Sequence, residues 1–134
     1  MKKSLLLLVA LACTGAIAQE KQIWACQLSE GALLAWEDNS SWEIYKLSPD
    51  DSNLLLTIDG ANSRIKMGGD TEFSAICSVV GNNRVSCYED TLGSEYVLLD
   101  QTTGAAGHAY MYGAVSSGSV KDSINIAAYN CTKF

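Results

Sequence analysis

The placement of cysteine constrains this chain more than any other feature. Cys26, Cys77, Cys87 and Cys131 are spread over most of its length, and no two form a Cys-x-x-Cys pair. A structural zinc site ordinarily draws on two such pairs. The four therefore read as two disulfides, which persist only in an oxidising compartment. The fifth cysteine, Cys13, falls in a segment with a different character. Met1-Lys2-Lys3 is basic, residues 5–12 are almost wholly apolar, and Ala16-Ile17-Ala18 is a small-x-small site. These are the three parts of a cleavable export signal. The apolar run is too short to span a bilayer, and no later run is long enough. The expectation is a signal peptide at 1–18 and a single β domain at 19–134, periplasmic or secreted, with no membrane span. The alternative is lipoprotein processing at Cys13. Against it, Ala10 stands where such signals carry leucine, three places before the cysteine.

Charge narrows the partners. The formal charge is −6, and removal of Lys2 and Lys3 with the signal takes it to −8. Such a surface repels nucleic-acid phosphates and anionic lipid headgroups. A basic protein is the charged partner that fits, unless the acidity serves only solubility.

Apolar residues recur mostly at period two, in short runs broken by Gly, Asn, Asp and Ser, which is the pattern of strands and turns. Trp24, Cys26 and Leu28 share one face of a first strand. Leu54, Leu56 and Ile58 share a face of another, ended by Asp59-Gly60. Residues 33–36 and 42–47 flank the polar segment 38–41 as the arms of a hairpin. Val97, Leu98 and Leu99 read as a buried strand, and Ile124 and Ile126 as one face of the last strand. Folding the chain about Asn82 pairs Val79 with Val85 and Cys77 with Cys87. Gly81-Asn82-Asn83 supplies residues tolerant of left-handed backbone. Directly opposed strand residues lie close enough for a disulfide, so Cys77–Cys87 is expected, and Cys26–Cys131 by elimination. Cys131 is out of phase with Ile124 and Ile126. Either a bulge near Ala127-Ala128 restores the phase or the strand is buried on both faces. Helix signals are weak, with one turn conceivable at 29–34. The fold class is all-β: an antiparallel meander of about eight strands, closed into a small barrel or a flattened sandwich and held by disulfides.

Three elements resemble a group of small exported bacterial proteins of unassigned function. They are Ile23-Trp24-Ala25-Cys26, the pairs Trp36-Glu37 and Trp42-Glu43, and an ending in Asp122-Ser123-Ile124 and Tyr129-Asn130-Cys131. The resemblance implies export and a terminal cysteine pair, and no activity. The chain is also similar in size and plan to the periplasmic inhibitors of C-type lysozyme, acidic β-barrels that insert a loop into a cationic enzyme. The segment 116–121 has the residue types of that loop. It lacks the aromatic that follows the serine-glycine element in that family.

Candidate chemistry is sparse. His108, the only histidine, has Ser116, Ser117 and Asp100 as conceivable partners, but no Gly-x-Ser-x-Gly elbow surrounds it; it reads as a surface or loop residue. Asp50-Asp51 and Glu89-Asp90 fall in turns, where carboxylates are solvated. A general acid would need a pocket that raises its pKa, and a calcium loop would need alternating ligands. No metal, cofactor or catalytic residue is expected. Trp24, Trp36 and Trp42 are either core packing or a binding platform. The glycine- and serine-rich stretches 104–107 and 113–119 read as loops suited to binding, with Ser116, Ser117, Ser119 and Lys121 as contact residues. The expected function is that of a non-enzymatic exported binding module. Inhibition of a cationic secreted enzyme such as lysozyme is the alternative, and a small cell-envelope glycan hydrolase is the rival from another class.

Mass spectrometry of the exported protein should find its N-terminus at Gln19. An acylated Cys13 would overturn the signal-peptide reading.

Overall fold

The computed structural model describes residues 20–36, 41–111 and 123–134; for Trp36 and Asp51 it describes the backbone alone. Nine strands follow in order: β1 (Gln22–Trp36), β2 (Trp42–Lys46), β3 (Leu54–Ile58), β4 (Arg64–Met67), β5 (Glu72–Val79), β6 (Arg84–Glu89), β7 (Glu95–Asp100), β8 (Ala105–Tyr110) and β9 (Ser123–Lys133). Each of β3 to β9 pairs antiparallel with its sequence neighbour, and β9 returns to pair with β1. Strands β1 and β3–β9 thus close an eight-stranded barrel, and β2 lies outside the ring on the far half of β1. The barrel reading of the sequence holds, with one extra strand.

Closure follows from the length of β1. Its first part pairs with β3 through Cys26↔Leu54, and its last part pairs with β2 from Ala32 to Trp36. On its other side it pairs with β9 over almost its whole length. Closing the ring gives each of the eight barrel strands a neighbour on both sides over at least part of its length, which removes the fully exposed edge strand that is the usual hazard of a small sheet.

Alternation fills the interior. Trp24, Cys26, Leu28, Leu54, Leu56, Ile58, Ile65, Val85, Cys87, Val97 and Leu99 are all buried. At about 1.5–3 kcal/mol for each large aliphatic side chain taken from water, this set is the main favourable term of folding. Trp24 is core, as one of the two readings of the tryptophans required, whereas Trp42 is exposed.

Both bridges are those expected: Cys26–Cys131 and Cys77–Cys87. Each joins residues that the strand register places directly opposite one another. The bridges mark an oxidising environment. The β5–β6 turn also forms as read, with Gly81 at φ 70° and Asn83 at φ 57° and the Val80 N–H donating to the Arg84 carbonyl.

Five expectations need correction. The bulge that restores the phase at the seam lies in β1, between Leu28 and Glu30, and not near Ala127-Ala128. In β9 the buried residues are Ala127 and Tyr129, on the parity of Cys131, while Ile126 faces out. Residues 29–34 form strand and no helical turn, because β9 supplies hydrogen-bond partners along the whole segment. Leu98 points outward between the buried Val97 and Leu99. The stretch 104–107 is no open loop, since Gly104 ends a turn and Ala105 to Gly107 belong to β8.

That turn shows how tightly the seam is held. The Asp100 carboxylate accepts hydrogen bonds from the Thr102 and Thr103 amides at 2.9 and 3.1 Å. The bond from Thr103, then that from Thr102, holds its pKa below the ordinary value. Gly104 follows at φ 75°, and its carbonyl accepts from the Cys131 N–H at 2.7 Å. A Cβ at Gly104 would sit 2.3 Å from the Cys131 carbonyl oxygen. Gly104→Ala should therefore destabilise the fold by about 3 kcal/mol or more, combining left-handed strain with a backbone clash. Denaturant unfolding under non-reducing conditions measures it, and a loss within the scatter of exposed Gly→Ala changes would contradict the packing described.

Candidate functional site

A meander places alternate turns at opposite ends of the barrel. Residues 68–71 and 90–94 lie at one end, with the β2–β3 connection and the β1–β2 extension. Residues 59–63, 80–83 and 101–104 lie at the other. We call the first the upper end.

Charge divides unevenly between these ends. Glu30, Glu43, Asp50, Asp70, Glu72 and Asp90 are all exposed on the upper half. Only Lys46 and Lys66 accompany them among the described residues. The lower end carries Glu20, Asp59 and Asp100 against Lys21, Arg64, Arg84 and Lys133, three carboxylates against four cations. There Arg84 Nε lies 3.4 Å from Asp100 Oδ2 in an exposed pair. The acidity evident in the sequence is thus gathered at one pole.

The upper half also holds a groove. Between Cys26, where pairing with β3 ends, and Ala32, where pairing with β2 begins, β1 has no strand on that side. The gap opens a groove of about 830 Å³, lined by Gln27, Asp50, Asn53, Leu54, Lys66 and Met67 among others. Its lining mixes amide, carboxylate, ammonium and apolar groups.

Under the acidic rim the barrel interior turns polar. Glu89, Glu95 and His108 are all buried. His108 Nε2 hydrogen-bonds Glu95 Oε2, and the imidazole meets Tyr129 edge to face at 6.4 Å between centroids. Burial, followed by the negative charge of Glu95, raises the pKa of the Tyr129 phenol. His108 Nδ1 and Asn125 Oδ1 are buried with no hydrogen-bond partner among the described residues, in a class of atoms that is nearly always satisfied. An isolated carboxylate could not be carried into such an interior. The imidazole is therefore what permits Glu95 there.

Glu89 has a different role. Its carboxylate accepts from the amides of Thr91 at 2.9 Å and Leu92 at 2.9 and 3.0 Å, and from the amide and hydroxyl of Ser94 at 3.4 and 3.2 Å. It ties down the β6–β7 turn. Burial pushes its pKa up, but the bonds from Leu92, Ser94 and Thr91 together outweigh that and leave it below 4.5.

Two expectations about titratable residues are therefore overturned. His108 is buried inside the barrel and is no surface residue, because β8 puts it on the inward parity of Ala106, opposite Val97. Glu89 is a buried turn anchor and no solvated carboxylate, whereas its neighbour Asp90 is exposed. Parity carries the signal for both: two residues on from Ala106 lies His108, and two on from Cys87 lies Glu89. Two residues back from Val97 lies Glu95, which sequence reasoning passed over. Ser116, Ser117, Ser119 and Lys121, the expected binding-loop residues, lie outside the described residues, as does the segment 1–18 expected to be a signal peptide. Among the described residues no group of three or more His, Cys, Asp or Glu side chains is placed to hold a metal, and no helix is long and apolar enough to cross a membrane. No protein-family model, curated protein or solved structure matches the chain.

Because the folded pKa of Glu89 lies below its unfolded value, its contribution to stability is fully present above about pH 4.5. It is lost as pH falls through the lowered folded value. Glu89→Gln should cost about 2 kcal/mol at neutral pH, the scale of charge-assisted hydrogen bonds. It should also flatten the acid limb of the stability curve below pH 4.5. Urea titrations at several pH values would show this, and parallel acid limbs for the two proteins would refute the role given to Glu89.

Proposed function

We propose that the protein is a non-enzymatic binding module, exported to the periplasm or beyond, whose acidic upper end engages a cationic protein. The observation that supports this reading is the separation of charge among the described residues: six exposed carboxylates against two lysines at one end, and three carboxylates against four cations at the other. A field of one sign at one pole orients an approaching cationic partner and raises the encounter rate, an effect that weakens as salt screens it. The frame suits such a task. A closed barrel with two bridges lowers the ordering cost of presenting the turns at 68–71 and 90–94 on binding. The groove beside β1, with Asp50 at its edge, offers a lined hollow within the same charged region. The contact of His108 Nε2 with Glu95 Oε2 inside the core is consistent with an internal packing role for that pair.

Hen lysozyme is a suitable basic probe. The protein should bind it, with affinity falling several-fold between low and physiological salt. A combined Asp50→Asn, Asp70→Asn and Glu72→Gln variant should slow association by about tenfold, while Glu20→Gln at the other end should change nothing. Surface plasmon resonance reads both, and a parallel turnover assay on cell-wall glycan should remain at background. Absence of salt-dependent binding to lysozyme and to every other basic envelope protein tried, or glycan hydrolysis by the protein itself, would refute the proposal.

A further inference from the structure

The groove beside β1 holds charges of both signs, and neither is committed within the chain. Register sets Ala25, Leu55 and Lys66 side by side on the outward faces of β1, β3 and β4. Ala25 and Leu55 line the floor of this hollow of about 830 Å³, and Lys66 closes it on the β4 side. Asp50 and Asn53 border it from the connection that carries the short 3-10 turn Pro49–Asp51. That turn packs against β1, so the carboxylate stands on the side away from Lys66. Gln27, two residues on from Ala25 along the same face, adds a second amide. The ion pairs among the described residues are Arg84–Asp100 and His108–Glu95. The Lys66 ammonium and the Asp50 carboxylate are therefore both open to a ligand. Even Glu72, opposite Lys66 across β4–β5, makes no ion pair with it.

We infer that this groove binds a short linear peptide by its two free termini. A positive group on one side and a negative group on the other suit a zwitterion, whereas a ligand of one sign would set a charge against its like. Size selects among zwitterions. Ala25 and Lys66 stand two strand spacings apart, about 10 Å. An extended chain covers about 3.3–3.6 Å per residue, so about three residues span the groove. Such a peptide brings its α-ammonium to Asp50 and its α-carboxylate to Lys66. A free amino acid carries both charges on one residue and reaches only one side. Between the ends, Gln27 and Asn53 each offer N–H donors and a carbonyl acceptor, the complement of a peptide unit. The floor of Ala25 and Leu55, the latter 37% exposed, is shallow and apolar and suits small side chains. The same lining disfavours a glycan, because no aromatic face is present among the described lining residues for a sugar ring to stack on. The inference goes beyond the long-range acidic field of the proposed function. Lys66, which repels a basic protein, is here one of the two anchors.

Backbone-amide NMR of the isotope-labelled, disulfide-bonded protein near neutral pH, titrated with alanine, dialanine and trialanine, tests the inference. Trialanine should bind with a dissociation constant of about a millimolar, the range open to so small a ligand. It should shift the amides of Ala25, Gln27, Leu55 and Lys66, while alanine should shift none of them. Acetylating the amino end or amidating the carboxyl end should each weaken binding about tenfold, the scale of one charge-assisted hydrogen bond. Asp50→Asn should reproduce the loss on acetylation and add nothing to it, and Lys66→Gln should stand in the same relation to amidation. Lys66→Gln should leave lysozyme association no slower, since it removes a positive charge from the acidic end, so the inference and the proposed function fail separately. No amide shift with trialanine at tens of millimolar would overturn the inference. So would affinity indifferent to blocking either end, or equal losses on acetylation with and without Asp50→Asn.

Discussion

The pairing of β1 with β9, closed by Cys26–Cys131, is the constraint on which the rest of the structure depends. It turns a row of hairpins into a ring, joining residues 105 positions apart in the chain. In the chain-entropy account a bridge of that span restricts the unfolded state by about 4–5 kcal/mol, a large share of the stability of so small a domain. Its neighbourhood is correspondingly tight. Gly104 presses its backbone against Cys131, and the bulge in β1 keeps Leu28 facing inward opposite Tyr129 before the strand leaves the ring.

Once the ring is closed, its inside and outside become distinct environments, and the distribution of polar groups follows. Inside, one end is packed with aliphatic side chains, while the other admits Glu89, Glu95 and His108. Each of these is allowed by its partners: turn amides for Glu89, and each other for Glu95 and His108. Outside, most of the exposed carboxylates of the described residues gather around the upper turns, while the lower end carries the Arg84–Asp100 pair.

Much of the barrel was legible because period-two alternation is local. Trp24, Cys26 and Leu28, or Leu54, Leu56 and Ile58, announce their face within a few residues. The hairpin about Asn82 reads directly from its turn chemistry, and both bridges followed from it. The errors share one cause. Ile124 and Ile126 look like an inward face by hydrophobicity alone, yet Ala127 and Tyr129 point inward, because the disulfide at Cys131 and the register against β1 and β8 decide the parity. Polar residues were assumed to lie in water, which hid His108, Glu95 and Glu89, although each continues an inward alternation by one more step.

The sequence alone determined an all-β domain with its strands, its turns and its two cysteine pairs, since propensity, alternation and turn chemistry act over short distances. It also determined the excess of acid. Only the tertiary structure decided where that acid lies and which residues meet. Closing the ring brought His108 onto Glu95, shifted the bulge into β1, and gathered six exposed carboxylates of the described residues at one pole. Those outcomes depend on register and closure between distant segments, which no local pattern encodes.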